Sequence, residues 1–213
     1  LAEARDFLGM GYFVLKVKVG KDVEADIERV ARLREVAGPE TLLRIDANQG
    51  YTRDGLRRFL SETARYGVEF VEQPLPMGAW SELAGLPDET RARLSLDEDV
   101  VDAESALPLC AAPRPAAIWN LKLSKTGGVY EALRVAGLAE AAGIALMWGC
   151  NIESAIGLSA ALHAAFASPS TRYLDLDGDY DLVEDVCSGG YVFDSGRLRT
   201  CDAPGLGATL ALD

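Results

Sequence analysis

Cysteine, histidine, basic clusters and long apolar runs are the scarce features of this 213-residue sequence, and each scarcity closes off a class of function. The four cysteines, Cys110, Cys150, Cys187 and Cys201, are widely spaced and include no CxxC pair. A chain of this size needs no disulfide staples, so a reduced, cytoplasmic setting is expected. The only histidine, His163, sits in the apolar helical run LSAALHAAFA and is read as an ordinary helix residue. No stretch approaches the roughly 18 apolar residues of a membrane span, and no basic segment leads into an apolar one at the start, so neither a span nor a secretory signal is expected. No run of Lys and Arg occurs. With 33 acidic against 21 basic residues the formal charge is -12, which repels nucleic acid and anionic lipid and leaves a small-molecule substrate as the expected partner.

What is present is a well-supplied core, 49% hydrophobic residues in a length that fits one α/β domain. Short β-like runs alternate with helical ones: FVLKVKV, LLRID, VEFVE, LSLD, AIWNLK, IALMW and YLDLD, separated by segments such as VEADIERVARLREVA and TRDGLRRFLSETARY. That alternation marks βαβ units and a parallel sheet. Seven strands are one short of a closed eight-fold barrel. The opening LAEARDFLGMGY reads as a helix ending at Gly11 in a chain that starts with Leu, so an upstream segment is expected. Residues 1–182 are assigned to the barrel, and 183–213, with SGGYVF, SGRLRT and APGLG, to a hairpin and loop packing on the barrel or on a neighbouring domain.

Polar residues at the strand ends repeat. Lys18, Asp46, Glu72, Asp97 and Lys122 follow one another at intervals of 28, 26, 25 and 25 residues, one strand plus one helix plus loops. In a barrel these ends share one face, where active sites are built. Within KVKVG, Lys16 and Lys18 point one way and Leu15, Val17 and Val19 the other; the aliphatic set faces the helices, which turns both lysines inward. Buried ammonium groups call for carboxylates or an anion beside them. Arg44 and Asp46, Glu72, Ser95 and Asp97, and Asn120 and Lys122 repeat the choice. Interior ion pairs of a purely structural kind could account for any one of these positions. Three carboxylates on adjacent strands, Asp46, Glu72 and Asp97, repel one another unless a divalent cation joins them, and oxygen-only ligands select a hard ion such as Mg²⁺.

The segments KVKVG, DANQG, EQPL, LDEDV, NLKLSKTGG and GCNIES, in this order and at these intervals, resemble the muconate-lactonizing subgroup of the enolase superfamily over nearly the whole chain, most closely its dipeptide epimerases. The resemblance implies a (β/α)7β TIM-like barrel, here lacking its first strand and the N-terminal α+β capping domain that closes over the mouth and selects the substrate side chain. It implies Asp46, Glu72 and Asp97 as ligands of one Mg²⁺, with Mn²⁺ as a possible substitute, and Lys18 and Lys122 as acid/base groups on opposite faces of the substrate. Lys125 lies beyond the inward position, in the following loop, and Lys122 is preferred. Lys16 supports, depressing the pKa of Lys18 by like-charge proximity, and contacts substrate; Asn48, Glu98 and Asn120 are further supporting residues. The superfamily's common step removes a proton alpha to a carboxylate to give an enediolate, with a lysine among the bases it uses and Mg²⁺ stabilising the charge that develops. Two opposed lysines then invert the centre, the chemistry of an isomerase of the racemase or epimerase kind.

Substrate choice rests on YLDLDGDYDL. Asp175 and Asp177, two apart, face the same side of the last strand and resemble the DxD with which the dipeptide epimerases hold the amine of a dipeptide such as Ala-Glu; an acidic turn is the plainer reading. Cys150 and Glu153 of GCNIES are expected to approach the ligand, with Trp148 walling the pocket. The alternatives are o-succinylbenzoate synthase or N-succinylamino acid racemase, whose substrates lack a free ammonium, and muconate cycloisomerase. A Schiff-base aldolase would not need three carboxylates, and a noncatalytic scaffold would not need all five ionisable groups. A homo-oligomer is expected.

Overall fold

The computed structural model describes residues 1–211; Leu212 and Asp213, the end of the tail, lie outside the described residues. The chain forms two compact units, one of Leu1–Asp99 with Ala112–Ala117, the other of Val100–Ala111 with Ile118–Asp213.

The first unit runs α1 (Ala2–Gly9), β1 (Val14–Lys18), α2 (Val23–Ala37), β2 (Leu42–Asp46), α3 (Arg53–Thr63), β3 (Val68–Glu72), α4 (Trp80–Ala84), α5 (Asp88–Arg91) and β4 (Leu94–Leu96). All four strands pair in parallel, with Lys16 opposite Arg44, Lys18 opposite Asp46, Asp46 opposite Glu72 and Glu72 opposite Ser95. Helix α2 starts where the Asp22 carboxylate accepts the Ala25 N–H at 2.8 Å and stops at Gly38, whose φ of +74° suits glycine. Its inner face carries Val30 and Leu33, and Leu33 packs with Leu15 and Leu43 against Phe7, Leu8 and Val17. Each such buried side chain contributes roughly 1.5–3 kcal/mol, and this packing is what turns the odd-numbered face of β1 toward the helices. The segment after β3 was not legible as a helical unit; Pro74, Pro76, Gly78, Gly85 and Pro87 cut it into single-turn pieces. Helix α1 ends at Gly9, two residues before the expected Gly11, which instead adopts φ +94°.

The second unit runs α6 (Ala103–Ala106), β5 (Ile118–Leu121), α7 (Leu123–Thr126), α8 (Val129–Ala142), β6 (Ala145–Gly149), α9 (Ala155–Ala167), β7 (Thr171–Asp175), then the tail strands β8 (Cys187–Gly189), β9 (Tyr191–Asp194), β10 (Arg197–Thr200) and β11 (Ala208–Leu210). Strands β5, β6 and β7 are parallel neighbours, while β8 pairs with β11 and β9 with β10 in antiparallel fashion. With Pro108 in its path, the helical segment after Asp102 is limited to α6 and a 3-10 turn over Leu107–Cys110. Helix α9 is apolar on most sides, as befits a buried helix: beyond β6 and β7 it meets β8, β10 and β11. The Ser159 hydroxyl, fully buried, is shared between the carbonyls of Gly190 and Leu206, each at 2.7 Å, which ties the tail to α9.

Candidate active site

The C-terminal ends of β1, β2 and β3 bring four of the expected residues together. The Lys16 Nζ lies 3.3 Å from Asp46 Oδ2 and 2.9 Å from Glu72 Oε2, and the Lys18 Nζ lies 2.6 Å from the same Asp46 Oδ2. Asp46 and Glu72 are wholly buried. Parallel register is the cause: with Lys18, Asp46 and Glu72 at one level across three strands, alternation turns all three side chains the same way, with Lys16 one pleat below. Lys16 is mostly enclosed, its side chain 14% exposed, whereas Lys18 is 65% exposed and reaches the cluster only with its tip. Lys18 therefore pairs with a buried carboxylate while remaining open to a ligand.

Asp97 follows β4 directly and is buried. Its backbone N–H donates to Gln73 Oε1 at 2.8 Å. Asn48 adopts φ +41° just past β2, its N–H donating to Asp46 Oδ1 at 3.0 Å, and Glu98 Oε1 accepts from Gln49 Nε2 at 3.0 Å. As these side chains stand, no three His, Cys, Asp or Glu side chains among the described residues are gathered into a metal cage. The donors fit a hard divalent cation in kind: Asp46, Glu72 and Asp97 carry buried carboxylates at the ends of successive strands, and the space between two of them already holds a cationic group, the Lys16 ammonium. They would hold Mg²⁺ through carboxylate oxygen alone.

Several groups at this end carried no sequence signal. The Asp26 carboxylate of α2, buried, accepts the Gly20 N–H at 2.8 Å and the Tyr51 hydroxyl at 3.1 Å, and it pairs with Arg29. Burial and the neighbouring Asp26 push the Tyr51 hydroxyl well above its ordinary pKa, so it remains a donor. This clasp anchors the loops that follow β1 and β2. Their backbones touch so closely that a Cβ on Gly50 would fall 2.0 Å from the Gly20 carbonyl oxygen, and one on Gly20, at φ +103°, 2.1 Å from that of Ala47. Only glycine fits either place.

The second unit places its expected residues at the ends of β5, β6 and β7. Asn120 is buried, and a Cβ on Gly149 would meet its side chain at 2.5 Å, so β6 leaves room for it. Lys122 is the extended residue that opens α7. Lys125 stands in that one-turn helix rather than in a loop, and its ammonium donates to the Asn120 carbonyl at 3.0 Å, which holds it back along the strand. Glu153 Oε1 accepts from Ser124 Oγ at 2.8 Å and from the Asn151 N–H at 3.0 Å, bracing the loop after β6. The Cys150 thiol points to the Asp175 carbonyl at 3.3 Å and Asp177 Oδ1 at 3.8 Å; burial first, then Asp177, push its pKa up to about 12, so it is a neutral thiol. Trp148 is fully buried with its indole N–H on Thr171 Oγ1 at 2.9 Å and belongs to the core, not to a pocket wall. Strand β7 ends at Asp175; Asp177 lies past it, at the start of a 3-10 turn, and is exposed. Leu176 between them is buried, which leaves the two carboxyl-bearing residues flanking it as the strand gives way to the turn.

Sequence and fold comparisons agree on one family. Residues 1–213 match the family described as Enolase C-terminal domain-like. The chain belongs to that family. It is 49% identical over 97% of its length to an L-Lys-D/L-Arg epimerase of Methylococcus capsulatus, and 34% identical, again over 97%, to an L-Ala-D/L-Glu epimerase of Bacillus subtilis. It spans 58% and 57% of those two proteins. The crystal structure of the M. capsulatus dipeptide epimerase complexed with Mg and the dipeptide L-Arg-D-Lys matches 97% of this chain with a TM-score of 0.95, and the chain covers 58% of it. The fold class is thus that of the TIM-like barrel, represented here by its C-terminal part.

Proposed function

We propose that the protein carrying this chain is an Mg²⁺-dependent isomerase that epimerises a dipeptide at the carbon alpha to its carboxylate. One observation carries the reading: an ammonium group, Lys18, held 2.6 Å from a buried carboxylate at a strand end yet open to a ligand, beside two more buried carboxylates. Lys18 takes or returns the α-proton on one face and Lys122 does so on the other, which inverts the centre through an enediolate. Asp46, Glu72 and Asp97 hold the metal. When bound, the metal supplies a Lewis acid for the substrate carboxylate, and Mn²⁺ would substitute for it. Lys16 keeps the charge of Asp46 and Glu72 balanced, and Asn48, Glu98 and Asn120 keep the strand ends in place. Asp175 and Asp177 receive the substrate ammonium, with Cys150 and Glu153 shaping the adjoining loop.

Among dipeptides such as the expected Ala-Glu, one of basic residues is the preferred substrate. The more similar relatives are L-Lys-D/L-Arg epimerases, at 49% and 45% identity, against 36% and 34% for the L-Ala-D/L-Glu enzymes, and a chain of formal charge -12 favours a cationic ligand. Residues 1–182 form the catalytic part and 183–213 a tail braced on α9; the rest of the protein supplies a capping domain. The enzyme works as a cytoplasmic homo-oligomer.

The test is α-proton exchange in D₂O by the full-length protein with Mg²⁺, offered Lys- and Arg-containing dipeptides, Ala-Glu and N-succinylamino acids. Exchange with inversion in the basic dipeptides, abolished in Lys18→Ala, is the expected result. Exchange confined to the succinylated compounds would replace this reading with an N-succinylamino acid racemase, and inversion that survives Lys18→Ala would remove Lys18 from the mechanism, whereas exchange without inversion, limited to one epimer, is what Lys122 alone would give.

A further inference from the structure

Gln73 occupies an unusual place for an amide. It directly follows Glu72 at the end of β3, is fully buried, and adopts φ +34°, outside the regions that non-glycine residues favour. Such a conformation persists only where the surroundings over-determine it. Here every polar group of the residue is engaged. Its N–H donates to the Ser95 carbonyl at 2.8 Å, and its carbonyl accepts the Gln49 N–H at 2.7 Å. Its side-chain Oε1 accepts the Asp97 N–H at 2.8 Å, and its Nε2 donates to the Leu75 carbonyl at 3.1 Å and to Asp99 Oδ2 at 2.7 Å. Asp99 Oδ1 in turn accepts the Gly78 N–H at 2.7 Å. The amide can point only one way, because an N–H faces one end and two acceptors face the other.

We propose that Gln73 is a positioning residue that sets the spacing between two of the metal-binding carboxylates, acting covalently on Glu72 and through a hydrogen bond on the backbone of Asp97. The inference rests on the reading of Glu72 and Asp97 as metal ligands. Strand β4 is only three residues long, Leu94–Leu96, and Asp97 lies beyond it, outside the β3–β4 pairing that ends at Glu72 and Ser95. The β3–β4 register stops short of Asp97, and the Gln73 side chain reaches its backbone N–H there. Asp99 fixes the far end of the amide, so that Oε1 cannot turn away from the Asp97 N–H. A ligand backbone held by such an outer hydrogen bond is pre-organised for its ion.

The substitution Gln73→Met keeps the length and removes all three side-chain hydrogen bonds. Gln73→Glu retains the acceptor toward Asp97 but opposes a carboxylate to Asp99, and the double variant Q73E/D99N restores the link with donor and acceptor exchanged. Mg²⁺ affinity, read by competition against Mn²⁺ in electron paramagnetic resonance, is measured on the full-length protein beside the melting temperature of each variant. Gln73→Met and Gln73→Glu are expected to weaken Mg²⁺ binding roughly 10- to 100-fold while remaining folded at the assay temperature, and Q73E/D99N to recover most of the loss. If Gln73→Met does not fold, the comparison of Gln73→Glu with the double variant decides. Affinity within twofold of wild type in a folded single variant, or no recovery in the double variant, would overturn the role of Gln73 and leave the metal site standing. Wild-type protein that binds no Mg²⁺ would bring down the metal reading and this inference together.

Discussion

Replacing Lys16 with methionine removes one charge from between two buried carboxylates and leaves the shape of the side chain nearly intact. At an effective dielectric of about 20, the ammonium attracts Glu72 at 2.9 Å by about 6 kcal/mol and Asp46 at 3.3 Å by about 5 kcal/mol. Desolvation of the three charges offsets most of that gain, which is why deleting one partner of a buried pair costs only about 3–5 kcal/mol. Lys18 stays on Asp46 at 2.6 Å and shields it in part, so the lower figure, about 3 kcal/mol, is the expected loss. For a domain of this size each kcal/mol lowers the melting temperature by about 2–4 °C, a fall of about 6–12 °C in all. Thermal melts followed by circular dichroism, in metal-free buffer and then with Mg²⁺, measure it. Lys21→Met, at an exposed position outside the cluster, is the control and should stay within about 0.5 kcal/mol of wild type. Added Mg²⁺ should raise the melting temperature of Lys16→Met more than that of wild type, since it supplies the charge the substitution removed. A Lys16→Met protein that melts within about 2 °C of wild type, the equivalent of about half a kcal/mol to one kcal/mol, would show that the carboxylates do not depend on Lys16.

Three further outcomes follow from single contacts. Asp175→Asn and Asp177→Asn should each lower kcat/KM for a dipeptide with a free amine by about 10- to 100-fold, the worth of one charged hydrogen bond, and an unchanged value in steady-state kinetics would reduce the pair to a turn. With its pKa pushed up from 9.0 to about 12, the Cys150 thiol at pH 8 should react with iodoacetamide about a thousandfold more slowly than an unperturbed cysteine, as site-resolved mass spectrometry would read. Its neutral form is the one the fold favours, so its contribution to stability is full below pH 9 and declines as pH rises toward 12; modification at the rate of a free thiol would contradict its burial. Gly50→Ala forces a Cβ to within 2.0 Å of the Gly20 carbonyl and should destabilise by about 3 kcal/mol, where a neutral substitution in a denaturant melt would show that the two loops can part.

The strands and the row of ionisable residues at their ends were legible in the sequence because each depends on a local rule. Alternation with period two put Lys16 and Lys18 on one face and the aliphatic residues on the other, and the repeat of 25 to 28 residues placed Asp46, Glu72 and Asp97 at successive strand ends. Helices were less legible where proline and glycine broke the 3.6-residue period, as between β3 and β4. Trp148 was placed on the right strand but turned toward the pocket, since both faces of a buried strand are apolar and the contact that decides its side, Thr171, is 23 residues away.

The kinds of residue, their order and their faces were thus set by sequence alone, since backbone geometry dictates the periods by which side chains point. Which ammonium touches which carboxylate was decided only in three dimensions. Nothing in KVKVG says that Lys16 rather than Lys18 joins Asp46 to Glu72, and nothing in EQPL says that its glutamine supports the backbone of Asp97 across 24 residues. Such links join residues far apart in the chain, and they depend on strand register and on the depth at which each side chain is buried, quantities that exist only once the strands have paired.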